Sequence, residues 1–161
     1  MQKLMMLGLA GLGLSAMAAP AAAQTATGDV SVRILQAITV SKTADLNFGR
    51  VVAGTAAGSV VVAEDGTRTC PAALRCLGTT TGAAFAVTGT VGETVVVAID
   101  TPTIQLTSGT NRMSVALATQ TRTITLVAGA NPFRVGGTLS VGASQAAGTY
   151  TGQFTVSVNY Q

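Results

Sequence analysis

Two cysteines are the residues of this chain whose type and spacing could do chemistry. Cys70 and Cys76 are the only cysteines, with five residues between them. Closing this loop as a disulfide stabilises a fold by ~2 kcal/mol in the loop-entropy relation. A metal site would need further ligands, and the chain has no histidine. Redox catalysis favours two intervening residues beside a helix N-terminus. We therefore predict a structural disulfide that staples one loop.

The other ionisable residues offer little material for catalysis. Without histidine, a serine nucleophile lacks its usual base, and a serine–lysine pair would depend on Lys42, the one lysine after position 3. Glu64 and Asp65 are adjacent carboxylates, but neighbours on a strand point to opposite faces. Asp65 followed by Gly66 is instead typical of a hairpin turn. We expect no enzymatic activity, no cofactor and no metal site.

Charge is sparse and scattered along the chain. There are nine basic and six acidic residues among 161, and the basic ones do not cluster. Nucleic acids and anionic membranes are bound through clustered basic residues. Neither is an expected partner.

The first 23 residues are typical of a secretory signal peptide. Lys3 supplies a short positive region, residues 4–17 are apolar, and residues 20–23 offer a small-residue cleavage site before Gln24. The apolar run is shorter than a membrane-spanning helix, although an uncleaved anchor is the alternative. We predict export through the periplasm to the cell surface or medium, where cysteines pair. Residues 24–161 are expected to form a single domain.

Strands are the elements that must position all of these residues. Threonine, valine and glycine are abundant, which suits pleated strands joined by tight turns. Val60, Val61 and Val62 form a continuous apolar run, as expected of a strand buried on both faces. The pattern predicts an all-β, antiparallel sandwich with Greek-key-like connections. Strands are predicted at 30–34, 38–40, 46–49, 60–62, 85–87, 95–99, 104–106, 113–117, 124–126, 133–135, 139–141 and 148–161.

The stretch 148–161 alternates most regularly. One face carries Tyr150, Phe154, Val156, Val158 and Tyr160, and every position in the other register is polar. A helical period would scatter both sets. We predict one half-buried strand that runs to the end of this sequence.

This stretch also resembles the carboxy-terminal β-zipper motif of pilins from the chaperone–usher pathway. Gly148 stands fourteenth from the end, apolar residues alternate after it, and Tyr160 is penultimate, as in that motif. The stretches 46–51 and 133–139 resemble the bacterial family of unknown function numbered 4402 (DUF4402), which is similar to spore-coat protein U and to the pilins. The resemblance implies an immunoglobulin-like, pilin-like sandwich over most of 29–160.

The pilin resemblance further implies a periplasmic chaperone and an usher as partners. The chaperone would pair with the last strand and hold the terminal carboxylate of Gln161. The residues implied in this pairing are Gly148, Tyr150, Phe154, Val156, Val158, Tyr160 and Gln161.

Three hypotheses follow for function. The favoured one is a structural subunit of a fimbria-like surface fibre or coat, self-associated by β-strand addition. The alternative is a self-complete secreted sandwich, an adhesin-like module that binds a glycan through its loops. A secreted hydrolase using surface carboxylates is the least favoured.

The amino-terminal extension leaves the favoured hypothesis open at one point. Residues 24–28 are too short and too small to act as a donor strand. Either Val30, Val32 and Ile34 form the donor strand within an extension at 24–34 and the body begins near Ile38, or the protein does not polymerise conventionally.

Overall fold

The computed structural model describes residues 24–118 and 121–161, so the predicted signal peptide at 1–23 lies outside the described residues. The described part of the chain is all β-structure, and it contains no helix that could cross a membrane. Its thirteen strands are β1 (Thr39–Ala44), β2 (Arg50–Val52), β3 (Gly58–Val62), β4 (Arg68–Thr69), β5 (Arg75–Leu77), β6 (Ala83–Thr88), β7 (Thr94–Ile99), β8 (Thr103–Ser108), β9 (Asn111–Leu117), β10 (Arg122–Thr125), β11 (Asn131–Val135), β12 (Gly137–Val141) and β13 (Val156–Tyr160).

The strands form four antiparallel sheets. Two have three strands each, in the orders β1-β6-β11 and β10-β7-β13, one has five in the order β4-β3-β12-β9-β8, and a small ribbon pairs β2 with β5. Consecutive strands β6 and β7 lie in different sheets, so the chain passes from one sheet to another there. The predicted all-β antiparallel sandwich is confirmed.

The core is built from the inward faces of the two three-stranded sheets and the five-stranded sheet. Val60, Val87, Val95 and Val115 come from four different strands and are each 0% exposed. One prediction about this core is wrong. Val61 is 38% exposed between its buried neighbours, because β3 has solvent on one face of its sheet and alternate side chains point to it.

The hairpin predicted at Asp65 and Gly66 is present and joins β3 to β4. Gly66 has a φ of 89°, a conformation that glycine adopts without strain. The Asp65 carboxylate accepts a hydrogen bond from the Thr67 amide at 2.8 Å, which lowers the pKa of Asp65. The local signal sufficed here because the turn is made by its own residues.

The prediction of one continuous strand over 148–161 is wrong. Thr151 makes a single bridge to Thr107 of β8, whereas β13 pairs with β7 and begins only at Val156. The stretch therefore passes from the five-stranded sheet to a three-stranded one. A Cβ on Gly152 would lie 2.7 Å from the Leu106 side chain, so the backbone crosses β8 closely before it changes sheets. The predicted alternation survives, because the apolar positions are half-buried and nearly all polar positions are exposed.

Two other predicted strands are absent from the described residues. In the stretch 46–49, Asn47 makes one isolated bridge with Thr81, and Gly49 turns with a φ of 73°. The stretch 30–34 pairs with no strand of the described chain. The chain divides into two units at this point, and the second runs from Ile34 to Gln161. The described part of the first unit, residues 24–33, is exposed and has no secondary structure.

Candidate functional site

A wide groove with an apolar floor opens on the surface of the second unit. It lies between the chain segments 44–55 and 144–155, and its volume is about 1310 Å³. Sites for small molecules usually measure roughly 300–1,000 Å³. The size of this groove is better matched to a stretch of polypeptide.

The groove is open because its floor is only half covered. Phe85, Ile104, Leu106 and Met113 line it and remain half-buried, although they pack against the core. Beneath them Val115 is fully buried. Burying one large apolar side chain contributes roughly 1.5–3 kcal/mol. A ligand that covers these half-buried side chains would therefore gain binding free energy from removing their apolar surface from water.

Aromatic packing fixes one part of the floor. The ring of Phe85 stacks on Phe133 with centroids 5.1 Å apart and meets Phe154 edge-on at 5.9 Å. These geometries are the ones that aromatic quadrupoles favour. Phe154, one of the predicted pairing residues, therefore stands in the groove wall against a rigid base.

Two edge strands reach the groove with one end each. β1 ends one three-stranded sheet and β13 ends the other. Lys42 and Ala44 of β1 line the groove on one side, and Phe154 and Thr155, which immediately precede β13, line it on the other. An edge strand presents N–H and C=O groups that are free to pair with an added strand. The site thus combines an apolar floor with main-chain hydrogen-bonding edges.

The rim carries one ion pair. Lys42 Nζ lies 2.6 Å from Asp45 Oδ1, and both side chains are well exposed. Such exposed pairs contribute little to stability.

The remaining predicted pairing residues lie along the same stretch of chain. Gly148 and Tyr150 line the groove, and the Tyr150 hydroxyl donates to the Ala146 carbonyl at 2.9 Å. Val156 and Val158 pack against the core from β13. The Gln161 amide donates to the Thr94 carbonyl at 3.0 Å. The structure therefore brings part of the predicted set into the groove and uses the rest to fasten β13 to β7.

The predicted donor residues are the most exposed large apolar side chains of the described chain. Val30 is 97% exposed, Val32 86% and Ile34 88%. Single exposed apolar residues are common on proteins, but three in strict alternation form one apolar stripe when the chain is extended.

The disulfide predicted from spacing is present between Cys70 and Cys76, whose Cα atoms lie 6.1 Å apart. The loop that it closes inserts Leu74 into the core, where 7% of that residue is exposed. The loop packs against the groove wall, because a Cβ on Gly54 would collide with the Ala73 carbonyl. The bond thus supports one side of the groove, and a disulfide fits an oxidising, exported environment.

Sequence reasoning missed the segment 44–55 as a wall of the groove. The two walls are joined where the Ser144 amide donates to the Gly54 carbonyl at 2.8 Å. The sequence feature that could have indicated this wall is the run of small residues at 53–58. Small residues allow another backbone segment to pack closely, but they do not show which segment does so.

The comparisons with known proteins identify the family of this chain. The family model described as "Domain of unknown function (DUF4402)" matches residues 38–160. The chain belongs to this family. The matched range of the DUF4402 domain begins one residue before β1 and ends with β13, so the stretch 30–34 precedes it. Searches of curated proteins and of solved structures gave no match.

Proposed function

We propose that this DUF4402 chain is a non-enzymatic structural subunit of an extracellular fibre or coat, assembled by β-strand addition between copies. Residues 29–34 of one copy occupy the groove of the next. One observation carries this proposal: the same chain has a groove with an apolar floor beside two edge strands, and an exposed, alternating apolar stretch that forms no strand among the described residues.

The dimensions of the two parts agree. An extended strand of six residues spans ~20 Å and directs alternate side chains to one face. Val30, Val32 and Ile34 would then face the half-buried floor, while Asp29, Ser31 and Arg33 would stay on the solvent side. Main-chain bonds to β1 or β13 would supply affinity with little demand on sequence, as in other cases of strand addition.

A periplasmic chaperone and an usher complete the proposal. Before assembly the open groove and the free edges of β1 and β13 are an aggregation hazard. A chaperone that lends a strand to the outer edge of β13 would cover this surface in the periplasm. The usher would then exchange that strand for residues 29–34 of another copy at the cell surface.

The substitution Val32→Asp tests the assembly. It places a carboxylate in the middle of the apolar stripe, where burial in a groove would leave the charge unpaired at a severe cost. We expect monomer that melts like the wild type but forms no polymer. Polymer is measured by light scattering and by ladders on gels of unboiled samples.

Ser31→Asp is the matched control, because it introduces the same charge one position away on the opposite face. This variant should polymerise like the wild type. Equal polymer yield from both variants would contradict the proposal. Unfolding of the Val32→Asp monomer would assign the stretch to the sheet of its own copy and favour a self-complete secreted module.

A further inference from the structure

The phenol of Tyr160 makes a contact that strand pairing does not require. Its hydroxyl donates to the Gln36 carbonyl at 2.7 Å and accepts from the Thr90 amide at 2.8 Å. The Gln36 amide in turn donates to the Thr90 hydroxyl at 2.6 Å. Both main-chain groups of Gln36 are therefore held, and we call these three hydrogen bonds the Gln36 anchor.

The hydroxyl of Tyr160 occupies space that only a glycine at position 89 leaves free. A Cβ on Gly89 would lie 2.6 Å from this oxygen and 2.9 Å from the Leu126 side chain, so only glycine leaves room for it. The position of β13 is set independently by five paired residues along β7, from Val156 to Tyr160. Removing the hydroxyl alone should therefore leave the sandwich intact, so that the effect of losing the anchor can be measured on a folded domain.

The anchor lies where the body meets the exposed stretch. Gln36 is two residues after Ile34 and three before β1, and it precedes the range that the family model matches. The anchor also connects the residues just before β1 to Tyr160, the last residue of β13. The two edges are tied together here, while the groove lies beside their opposite ends, at Ala44 and Phe154.

We propose that Tyr160 is a positioning residue that fixes the root of the donor stretch, so that residues 29–34 start from a defined point and enter the groove of a second copy. This inference rests on the proposed function. A segment that is ordered before binding pays less conformational entropy on binding. Folding back onto β1 of the same copy would need a turn at residues 35–38, which would reorient the Gln36 peptide groups and break the anchor.

The test compares Tyr160→Phe with the wild type of the mature chain. Phenylalanine keeps the ring and removes only the hydroxyl. Hydrogen exchange at the Thr90 and Gln36 amides reports the anchor itself. Binding of a synthetic peptide of residues 28–36 reports the groove without the anchor. Polymerisation of purified monomer reports both together.

We expect faster exchange at both amides, unchanged affinity for the peptide, and polymerisation slowed roughly tenfold, the effect of losing hydrogen bonds of ordinary strength. Thr90→Val removes the third bond of the anchor, from the Gln36 amide to the Thr90 hydroxyl, and should speed exchange at Gln36 and slow polymerisation while peptide affinity stays unchanged. Ser157→Ala is the matched control, since it removes one hydroxyl from the same strand, bonded to Asp100 at 2.7 Å. It should match the wild type in all three measurements.

Three results would overturn the inference and leave the proposed function standing. Unchanged exchange would show that the phenol does not hold Gln36. Faster exchange with unchanged polymerisation would show that the anchor does not serve assembly. Equal loss of peptide binding and polymerisation would make the hydroxyl a part of the groove rather than of the donor root. If wild-type protein neither binds the peptide nor polymerises, the proposed function itself fails.

Discussion

At the scale of single residues, a few polar groups and one covalent bond hold the loops that surround the core. Asn131 is buried, and its side-chain amide donates to the carbonyls of Val87, Val127 and Gly129 at 3.1–3.2 Å while its oxygen accepts from the Val127 amide at 2.9 Å. Buried polar groups are tolerated when they are bonded in this way. The Cys70–Cys76 disulfide likewise holds the loop that packs against the groove wall.

Replacing both Cys70 and Cys76 with serine should lower the free energy of unfolding by ~2 kcal/mol, because the unfolded chain regains the freedom of the loop. The strand topology should persist, since the ring is short and local. Urea denaturation of the oxidised wild type, the reduced wild type and the double variant measures the effect. Alkylation without reduction, followed by mass spectrometry, should find no free thiol in exported protein. Labelling of both cysteines would contradict the bond.

At the scale of elements, the stretch 148–161 contacts two different sheets. Its first half crosses β8 and lines the groove, and its second half pairs with β7. This division leaves β8 partly facing the groove, with Leu106 half-buried at the floor and Gln105 exposed on the other face of the strand. One strand therefore offers a variant and its control at adjacent positions.

Leu106→Asp should abolish acceptance of a donor strand while the domain still folds. The carboxylate would be hydrated in the open groove but desolvated once a strand covers it. Loss of affinity for the 28–36 peptide, measured by calorimetry, tests this. Gln105→Asp carries the same charge away from the groove and should bind normally. Wild-type peptide affinity in Leu106→Asp would place the donor somewhere other than this groove.

At the scale of the whole molecule, the proposal gives each copy one donor and one acceptor. Such head-to-tail contacts generate open chains unless they close into rings. Few charges, nine basic and six acidic, limit repulsion between neighbouring copies. Assembly should consequently depend weakly on salt.

A copy without the donor stretch and a copy with a blocked groove should therefore form one contact with each other and no more. A chain lacking residues 24–35 keeps an acceptor, and the Leu106→Asp chain keeps a donor. We expect each to remain monomeric alone and their mixture to give a one-to-one heterodimer and nothing larger, as measured by sedimentation or light scattering. Longer oligomers in the mixture, or none at all, would contradict the assignment of donor and acceptor.

The sequence by itself determined what depends on neighbours along the chain. Most strand positions followed from alternation, although 30–34 and 46–49 are not strands and 148–161 is not one strand. The turn at Asp65 followed from its own side chain, and the pairing of Cys70 with Cys76 from spacing and the absence of any other thiol. These features need no knowledge of distant contacts. The spacing of strands and turns indicated the sandwich, and the resemblance of short motifs indicated the family.

Only the tertiary structure decided which strand edges stay open and where the last stretch changes sheets. The groove arises because β1 and β13 end separate sheets, the final stretch breaks where Gly152 crosses β8, and Tyr160 meets Gln36 across 124 positions. A strand pattern states that one face is apolar but not which partner covers it, because burial depends on how all sheets pack together. The stripe of Val30, Val32 and Ile34 has the same pattern as a core strand, and only the structure shows that these three side chains are exposed.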